Sequence, residues 1–520
     1  MKKYALGIDF GTQSVRCIIF DDKGETVCLY KKSYPNVYYS KKPGYAEQNP
    51  DVYLNAFYQI CKKMCEEHPD VISQTLGASI SCFRDTAVLL DKDYNLIRDS
   101  ILWLDQRRAK CNSKLPLKTR FALRLVGMYE TADLNRKRTI SNWLEENEKD
   151  NWDKVVHYWN ISTYIIYKLT GKAIDTPSSY TGHYPINTKK KRWQKKGELT
   201  YPIFNIDIKK CPELTTPGSL LGEISKEASA KTGLPVGFKI YGGGGDKSLE
   251  TLGVGAVDDT IASISYGTAC SIEIFTKKYR EPETFLPAYT APIPFGWNME
   301  IQVYRGYWML EWFAKNFATE ELNVADIEKV AVEELLNQKM LAIPPGSEGL
   351  VLQPYWGPGL KRPLAKGAIV GFSDYHTKYH LYRAIIEGIA YALKEGLIGM
   401  EKKRHSGKIK KIRVSGGGSK SKAICQITSD IFNLPVSKIQ TYETSSLGAA
   451  IIVFVSSSYY SSYQEAIKNM VHENEVYTPN PENVKIYKKI FSEVYEKIYP
   501  RLKNINLAIR RVTSSSEGEN

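Results

Sequence analysis

The sequence predicts an α/β protein built as two related halves that face each other across a cleft. Three observations carry that prediction. Residues 4–20 and 261–275 repeat one pattern, apolar strand, Gly-Thr turn, apolar strand, with Gly11-Thr12 lying over Gly267-Thr268 at an offset of about half the chain. Apolar strand-like runs alternate with helix-period stretches through both halves. Near the middle stands Tyr241-Gly-Gly-Gly-Gly-Asp246-Lys-Ser, a bare stretch of backbone followed by one carboxylate.

The totals agree with a soluble globular chain of two large or three ordinary domains. There are 520 residues, 42% hydrophobic and 25% charged, with 35 tyrosines to fill sizeable cores. No run approaches the ~20 apolar residues of a membrane span. The N-terminus enters a strand pattern directly, without the apolar core of a signal peptide, so the expected location is cytoplasmic, with no membrane partner. Nine scattered cysteines read as reduced structural thiols, because the close pair Cys61 and Cys65 has no His or second Cys pair to complete a metal site. The net charge of +14 raises the question of nucleic acid. Its local clusters, Lys189 to Lys196 and Lys402 to Arg413, lack interleaved aromatics and any DNA-reading motif, so a solvated basic surface is expected and no nucleic-acid partner.

In chain order, residues 4–20 make a hairpin with small and hydroxyl residues at its tip. Backbone N–H groups and hydroxyls there can wrap a phosphate, and Asp9 at the end of the first strand can hold a cation beside it. The matching hairpin at 261–275 would close on the same polyphosphate from the other side. Gly44–Pro50 is a turn feeding an amphipathic helix over roughly 51–68. Leu76–Cys82 is a buried strand with Arg84 and Asp85 at its end, where α/β sheets bind ligands; the pair either grips a polar ligand or forms a turn ion pair. Ile101 to Arg108 is a second such segment, in which Trp103 is either a wall for a polyol or a core residue. Residues 115–170 read as two or three helices, the last stopped by Gly171, with loops through 175–182 and the basic Trp193 segment. The second half continues with an aromatic stretch at 304–313 opening a helix, a proline-rich passage at 344–363, and a long helix near 377–403. A strand at 411–415 then runs into Gly416-Gly417-Gly418-Ser-Lys-Ser421 and a helix, which is a nucleotide seat in outline. Residues from Arg510 onward read as a disordered tail. The glycine run before Asp246 is open to two readings, a flexible loop or a floor that a ligand approaches closely.

Taken in order, these segments resemble the FGGY family of carbohydrate kinases, whose members include glycerol kinase, xylulokinase and gluconokinase. The carrying residues are Gly7–Ser14, Gly44–Pro50, Arg84–Thr86 with Trp103–Arg107, Gly243–Asp246, Tyr266–Thr268, Gly367 through Ala390, Gly416-Gly417 with Ser421, and Ser446–Ala450. The resemblance runs from about residue 4 to 500. It implies two actin-like (ribonuclease-H-like) domains around a central nucleotide and substrate cleft. We place them at 1–246, which binds the sugar and ends on the catalytic Asp, and 247–500, which binds the nucleotide, followed by a tail at 501–520.

The resemblance also implies roles. Asp246 is the general base that takes a proton from the accepting hydroxyl. Asp9, with Asp246, organises Mg²⁺. Thr12, Gln13, Ser14 and Arg16 lie along the outer phosphates of ATP, Gly267 and Thr268 along the nucleotide from the other domain, and Gly417 and Ser421 near the adenosine. Arg84, Asp85, Trp103, Asp246 and Lys247 would meet a small sugar or polyol. Arg84-Asp85 is similar to the Arg-Glu pair of glycerol kinases, whereas Trp103 to Arg107 and the glycine run look more like the sugar-kinase branch. Lys247 departs from both, since glycerol kinases carry Gln and xylulokinases Asn there; it pairs with an acidic substrate or points away. The expected activity is ATP-dependent phosphorylation of a sugar or polyol hydroxyl, and a homodimer is left open. The alternative is an actin- or chaperone-like ATPase without a sugar substrate, for which Arg84, Trp103 and a glycine-flanked Asp246 would have no task.

Overall fold

The computed structural model describes residues 2–356, 362, 364–404 and 407–515. The first half opens with strands β1 (Tyr4–Phe10), β2 (Ser14–Asp21) and β3 (Thr26–Ser33), then helix α1 (Asp51–Glu67) and strand β4 (Thr75–Cys82). Helix α2 (Ile161–Thr170), strand β5 (Leu220–Glu223) and strand β6 (Lys239–Gly245) follow, and β6 runs without a break into helix α3 (Asp246–Gly253). The second half holds β7 (Ile261–Tyr266), β8 (Cys270–Thr276), β9 (Trp297–Val303), helix α4 (Lys378–Arg404) and β10 (Lys411–Ser415). It closes with α5 (Lys422–Phe432), β11 (Val436–Ile439), α6 (Thr444–Ser456) and β12 (Glu473–Tyr477).

The two principal sheets repeat one design. The first reads β3-β2-β1-β4-β6-β5 and the second β9-β8-β7-β10-β11-β12, the latter with a short strand, Tyr289–Thr290, added outside β9. In both, the pairings run antiparallel, antiparallel, parallel, parallel, antiparallel. The repeat of two hairpins read from sequence is therefore the visible part of a repeat of whole sheets. The halves differ in one respect: the outer strand β5 precedes its neighbour β6 in the chain, whereas β12 follows β11.

Each element forms for local reasons. In α1, Tyr53, Leu54, Phe57, Ile60, Cys61 and Met64 recur at helical spacing and are buried, while the Asn49 side chain accepts from the Asp51 N–H at 2.9 Å and starts the first turn. Helix α2 ends at Gly171, whose φ of 74° is the left-handed cap that a glycine adopts without strain. Residues 115–170, expected as two or three helices, contain five, 117–125, 129–138, 140–147, 149–154 and α2, and a strand, His157–Asn160. The first four and the strand surround an aromatic core of Trp143, Trp152, Tyr158, Tyr180 and Tyr184. The end of the chain differs from expectation as well. Residues 496–515 form a helix, so 510–515 is not a disordered tail; 516–520 lie outside the described residues, as does part of the proline-rich passage, 357–361 and 363.

The halves share a core. Ala5, Ile18 and Phe20 of the first sheet pack with Leu249 and Leu252 of α3, Ile261 and Phe275 of the second sheet, and Leu447 to Phe454 of α6. Helix α6 is apolar nearly all round, as a helix buried between the first sheet and α3 must be. Its approach is backbone to backbone. A methyl group at Gly7 would overlap the Ser446 carbonyl, one at Gly253 the Thr444 carbonyl, and one at Gly448 the Leu249 carbonyl. Glycine is required at these crossings because no side chain could move aside to admit a Cβ. Gly253→Ala is expected to cost about 1–3 kcal/mol and to lower the midpoint of urea unfolding monitored by tryptophan fluorescence. An unchanged midpoint would show that α3 and α6 separate freely.

Candidate active site

The first hairpin has a four-residue tip, closed by Gly11 N–H donating to the Ser14 carbonyl at 3.0 Å. At its base Asp9 faces Arg16 across the β1–β2 ladder, and Arg16 Nη1 donates to Asp9 Oδ2 at 2.8 Å while Ser81 Oγ donates to Oδ1 at 2.8 Å. Arg16 reaches on to Glu443, just before α6, at 3.2 Å. Burial pushes the Asp9 carboxyl up to about 6; Arg16 and Ser81 oppose the rise, and the charge of nearby Asp246 adds to it. The two carboxylates proposed for a metal thus sense each other. No group of three or more His, Cys, Asp or Glu side chains able to hold a metal occurs among the described residues. That donor set fits Mg²⁺, which takes one or two carboxylates and completes its shell with phosphate and water.

Asp246 stands at the end of β6, with its side chain 32% exposed. The glycines before it differ from both sequence readings. Residues 241–245 are buried, none of the four glycines has a positive φ, and they lie in strand β6, whose register against β4 shifts between Tyr241 and Gly244, so they are neither a flexible loop nor a floor open to ligand. What approaches them is the chain itself. A Cβ at Gly242 would meet Thr176, one at Gly243 the Ile80 carbonyl, one at Gly244 Ser178, and one at Gly245 Arg84 Cδ at 2.7 Å. The hydroxyls of Thr176 and Ser178 donate to the Gly243 carbonyl at 2.9 and 2.7 Å. Asp175 anchors that loop by accepting from Ser162, Thr163, Ser179 and the Thr176 N–H at 2.6–2.8 Å.

Arg84 joins the halves. Its guanidinium donates through Nη1 and Nη2 to the two carboxylate oxygens of Glu300 on β9, at 3.0 and 3.3 Å, and its Nε lies 3.8 Å from Asp246. It also stands over the Tyr289 ring at 5.2 Å. Asp85, in a left-handed turn at φ 57°, accepts from Thr181 Oγ1 at 3.0 Å and His183 N–H at 3.4 Å. It is tied to the 181–183 loop and forms no ion pair with Arg84, which removes the turn-pair reading. Trp103 is 41% exposed, not a core residue, and its indole N–H donates to Thr12 Oγ1 at 3.2 Å, against the first hairpin. Behind it, Arg107 donates to Asp105 and Glu47 at 2.7 Å and stacks over Tyr45 and Trp143, while Asp105 accepts from the Ala46 N–H. The two segments flagged in sequence, 44–50 and 103–107, therefore bolt to each other. Burial would lift Glu47, but Arg107, Arg98 and Lys41 outweigh it and hold the carboxyl down to about 2.

Lys247 turns inward. Its ammonium donates to Glu250 at 2.9 Å and to Ser265 Oγ on β7 at 2.7 Å, and Glu250 and Asp246 hold its proton more tightly than usual against the opposing effect of burial. Of the two alternatives the sequence left for it, this is the second: the charge is engaged within the protein. Near it, Glu273 accepts from Thr251 and Asn298 at 2.9 Å and pairs in register with Glu300; burial, then Glu300, raise its carboxyl well above the ordinary range.

On the other side, the second hairpin turns at Gly267–Ala269, where the Gly267 and Thr268 carbonyls accept from Tyr307 and Trp308 N–H at 3.1 and 3.3 Å. The Tyr266 and Tyr307 rings stack at 5.0 Å, and Gly416 and Gly418 fit against those two residues with no room for a Cβ. Gly417 alone faces open space. The structure thus brings Gly267, Thr268 and Gly417 together, whereas the Ser421 hydroxyl accepts from Ile424 N–H as the cap of α5.

The model of the FGGY family of carbohydrate kinases, N-terminal domain, matches residues 4–253, and that of the C-terminal domain matches 262–457. The xylulose kinase of Lactococcus lactis is 28% identical over 511 residues, 97% of this chain and 98% of its own. The gluconokinase of Bacillus licheniformis is 25% identical over 498 residues, 94% of each chain. Among solved structures, the gluconate kinase of Lactobacillus acidophilus shares the fold at a TM-score of 0.80 and 24% identity, covering 97% of this chain and 99% of its own.

The lifted Asp9 carboxyl has a consequence for stability. The folded chain keeps this proton to about pH 6, while the unfolded chain releases it near 3.8. Its contribution therefore favours folding below the lower value and is lost as pH rises through the higher one, on the order of 3 kcal/mol in all. In chelator-containing buffer, the stability of wild type relative to Asp9→Asn should fall by that order between pH 4 and 7. A difference that stays flat in urea titrations across that range would refute it.

Proposed function

The chain belongs to the FGGY family of carbohydrate kinases, ATP-dependent phosphotransferases, and from that premise we propose that it transfers the γ-phosphoryl group of ATP to a hydroxyl of a small sugar or polyol, with Asp246 as general base. The observation that carries the reading is the position of Asp246. It is the one carboxylate at the end of a buried glycine strand, partly exposed, beside Arg84 and within electrostatic reach of Asp9 at the base of the phosphate hairpin. Residues 1–246 supply the sugar side and 247–500 the nucleotide side.

Phosphoryl transfer needs little covalent help from a protein and is accelerated by positioning and charge neutralisation. Asp246 accepts the proton of the attacking hydroxyl. Arg84, held on its other face by Glu300, keeps the Asp246 carboxylate turned toward that hydroxyl. The N–H groups and side chains of Thr12, Gln13 and Ser14, with Arg16 behind them, orient the outer phosphates, and Trp103 closes the sugar side against Thr12. Gly267 and Thr268 line the nucleotide from the second half, Gly417 leaves room for the adenosine, and Ser421 acts on that seat through the first turn of α5. Mg²⁺, held by Asp9 and Asp246, would neutralise charge on the phosphates. An actin- or chaperone-like ATPase has no use for the Arg84, Trp103 and Asp246 grouping, and family membership favours the kinase.

Asp246→Asn should lower turnover by ~10²-fold or more while ATP affinity stays within a few-fold. Coupled ADP release against ketoses, polyols, glycerol and aldonic acids, together with nucleotide binding by calorimetry, measures both. Turnover within threefold of wild type would remove Asp246 from the role.

A further inference from the structure

Two cations near Asp246 are already neutralised: Arg84 by Glu300 and Lys247 by Glu250. The run Asn135-Arg136-Lys137-Arg138 lies farther out in the first half, and its cations are not all provided for. Arg136 donates to the Ser113 carbonyl and hydroxyl at 2.6 Å, and Lys137 pairs with Asp133 at 2.7 Å. Arg138 has neither a hydrogen bond nor an ion pair among the described residues, although it is half-buried. The Ala109 N–H donates to the Lys137 carbonyl at 2.8 Å, which fixes the 108–109 backbone beside 137–138. That brings a second cation, the exposed Arg108, equally without a partner, next to the first. Burial pulls the Arg138 proton affinity down, Arg108 pulls it further, and Tyr304 opposes.

Tyr304 belongs to the other wall. It follows β9 and leads into Tyr307, which binds the Gly267 carbonyl of the second hairpin; its side chain is 61% exposed, and its hydroxyl is within electrostatic reach of Arg138, Glu300, Asp85 and Arg84. The two acids in that set already have partners, Glu300 in Arg84 and Asp85 in the 181–183 loop. On the first wall Arg108 lies five residues beyond Trp103, which touches Thr12. Two like charges without a counter-ion, one of them half-buried, are costly to hold together, and an anion between them offsets that cost.

We propose that Arg108 and Arg138, with the Tyr304 hydroxyl opposite, form an anion subsite for the end of the substrate remote from the reacting hydroxyl. The substrate is then an acidic sugar, carrying a carboxylate or a phosphate, in preference to a neutral ketose or polyol. This rests on the kinase reading and narrows it.

The test compares matched pairs: an aldonate and a sugar monophosphate, each against its neutral counterpart of the same chain length. Charge-assisted hydrogen bonds of this kind give about a 10- to 100-fold preference in kcat/KM for one of the acids, carried by KM. Which acid shows it identifies the anion as carboxylate or phosphate. Arg138→Gln should reduce the preference at least about tenfold, and Arg138→Lys, which keeps the charge, should retain most of it. Calorimetry of the same compounds on Asp246→Asn, with and without Arg138→Gln, reads the subsite without turnover. A neutral compound used as well as either acid, or a preference unmoved by Arg138→Gln, overturns the subsite and leaves the kinase standing. An acid preference in binding that Arg138→Gln removes, with no compound turned over by wild type, keeps the subsite and overturns the kinase.

Discussion

The close crossing of α3 and α6 is the contact on which the rest depends. Three glycines, Gly7, Gly253 and Gly448, let the backbone of one half rest on carbonyls of the other. Removing side chains there gives up local packing but gains a shared core running from Ala5 to Phe454. Because α3 begins at Asp246, the same crossing fixes the direction in which that carboxylate, the proposed base, emerges. It also sets Glu443, one residue before α6, against Arg16 of the first hairpin. The first hairpin and Asp246 are thereby referred to one pair of helices.

Around that crossing, charge is arranged so that almost every buried ion has a named partner. Arg84 is matched by Glu300, Lys247 by Glu250 and Arg107 by Asp105 and Glu47. Buried pairs of this kind contribute little net stability, since desolvation cancels most of the attraction, but they make one geometry far cheaper than its neighbours. For a reaction catalysed mainly by placement, that is the useful quantity. Asp9 stands out because burial outweighs its partners.

Much of this was legible in the sequence wherever the determinant is local. The Gly-Thr hairpins, α1, the α2 stop at Gly171 and the strand–glycine–helix step at 411–432 each follow from spacing within about twenty residues. The reason for the glycine run was not legible, because what excludes a side chain there is Thr176, Ser178, Ile80 and Arg84, brought together only by the fold. Glu300 was missed for the same reason: it lies 216 residues from Arg84, and nothing in its own neighbourhood marks it. The TPSS stretch at 176–179, small hydroxyls facing a glycine strand, was the one available hint. Lys247 was singled out as a departure from its relatives, but its partners, Glu250 three residues on and Ser265 on the next sheet, turn it inward. The helix through 496–515 was hidden by the polar residues that close the chain.

The order of the outer strands has a mechanical corollary. Since β5 is laid down before β6, the chain leaves the first sheet from beside β4, through Asp246, and not from its rim. The covalent passage between the halves and the proposed base are therefore one place. Any rotation of the halves that keeps the α3–α6 crossing has its fulcrum there. Such a rotation would displace residues of either half that lie away from this junction more than it displaces Asp246.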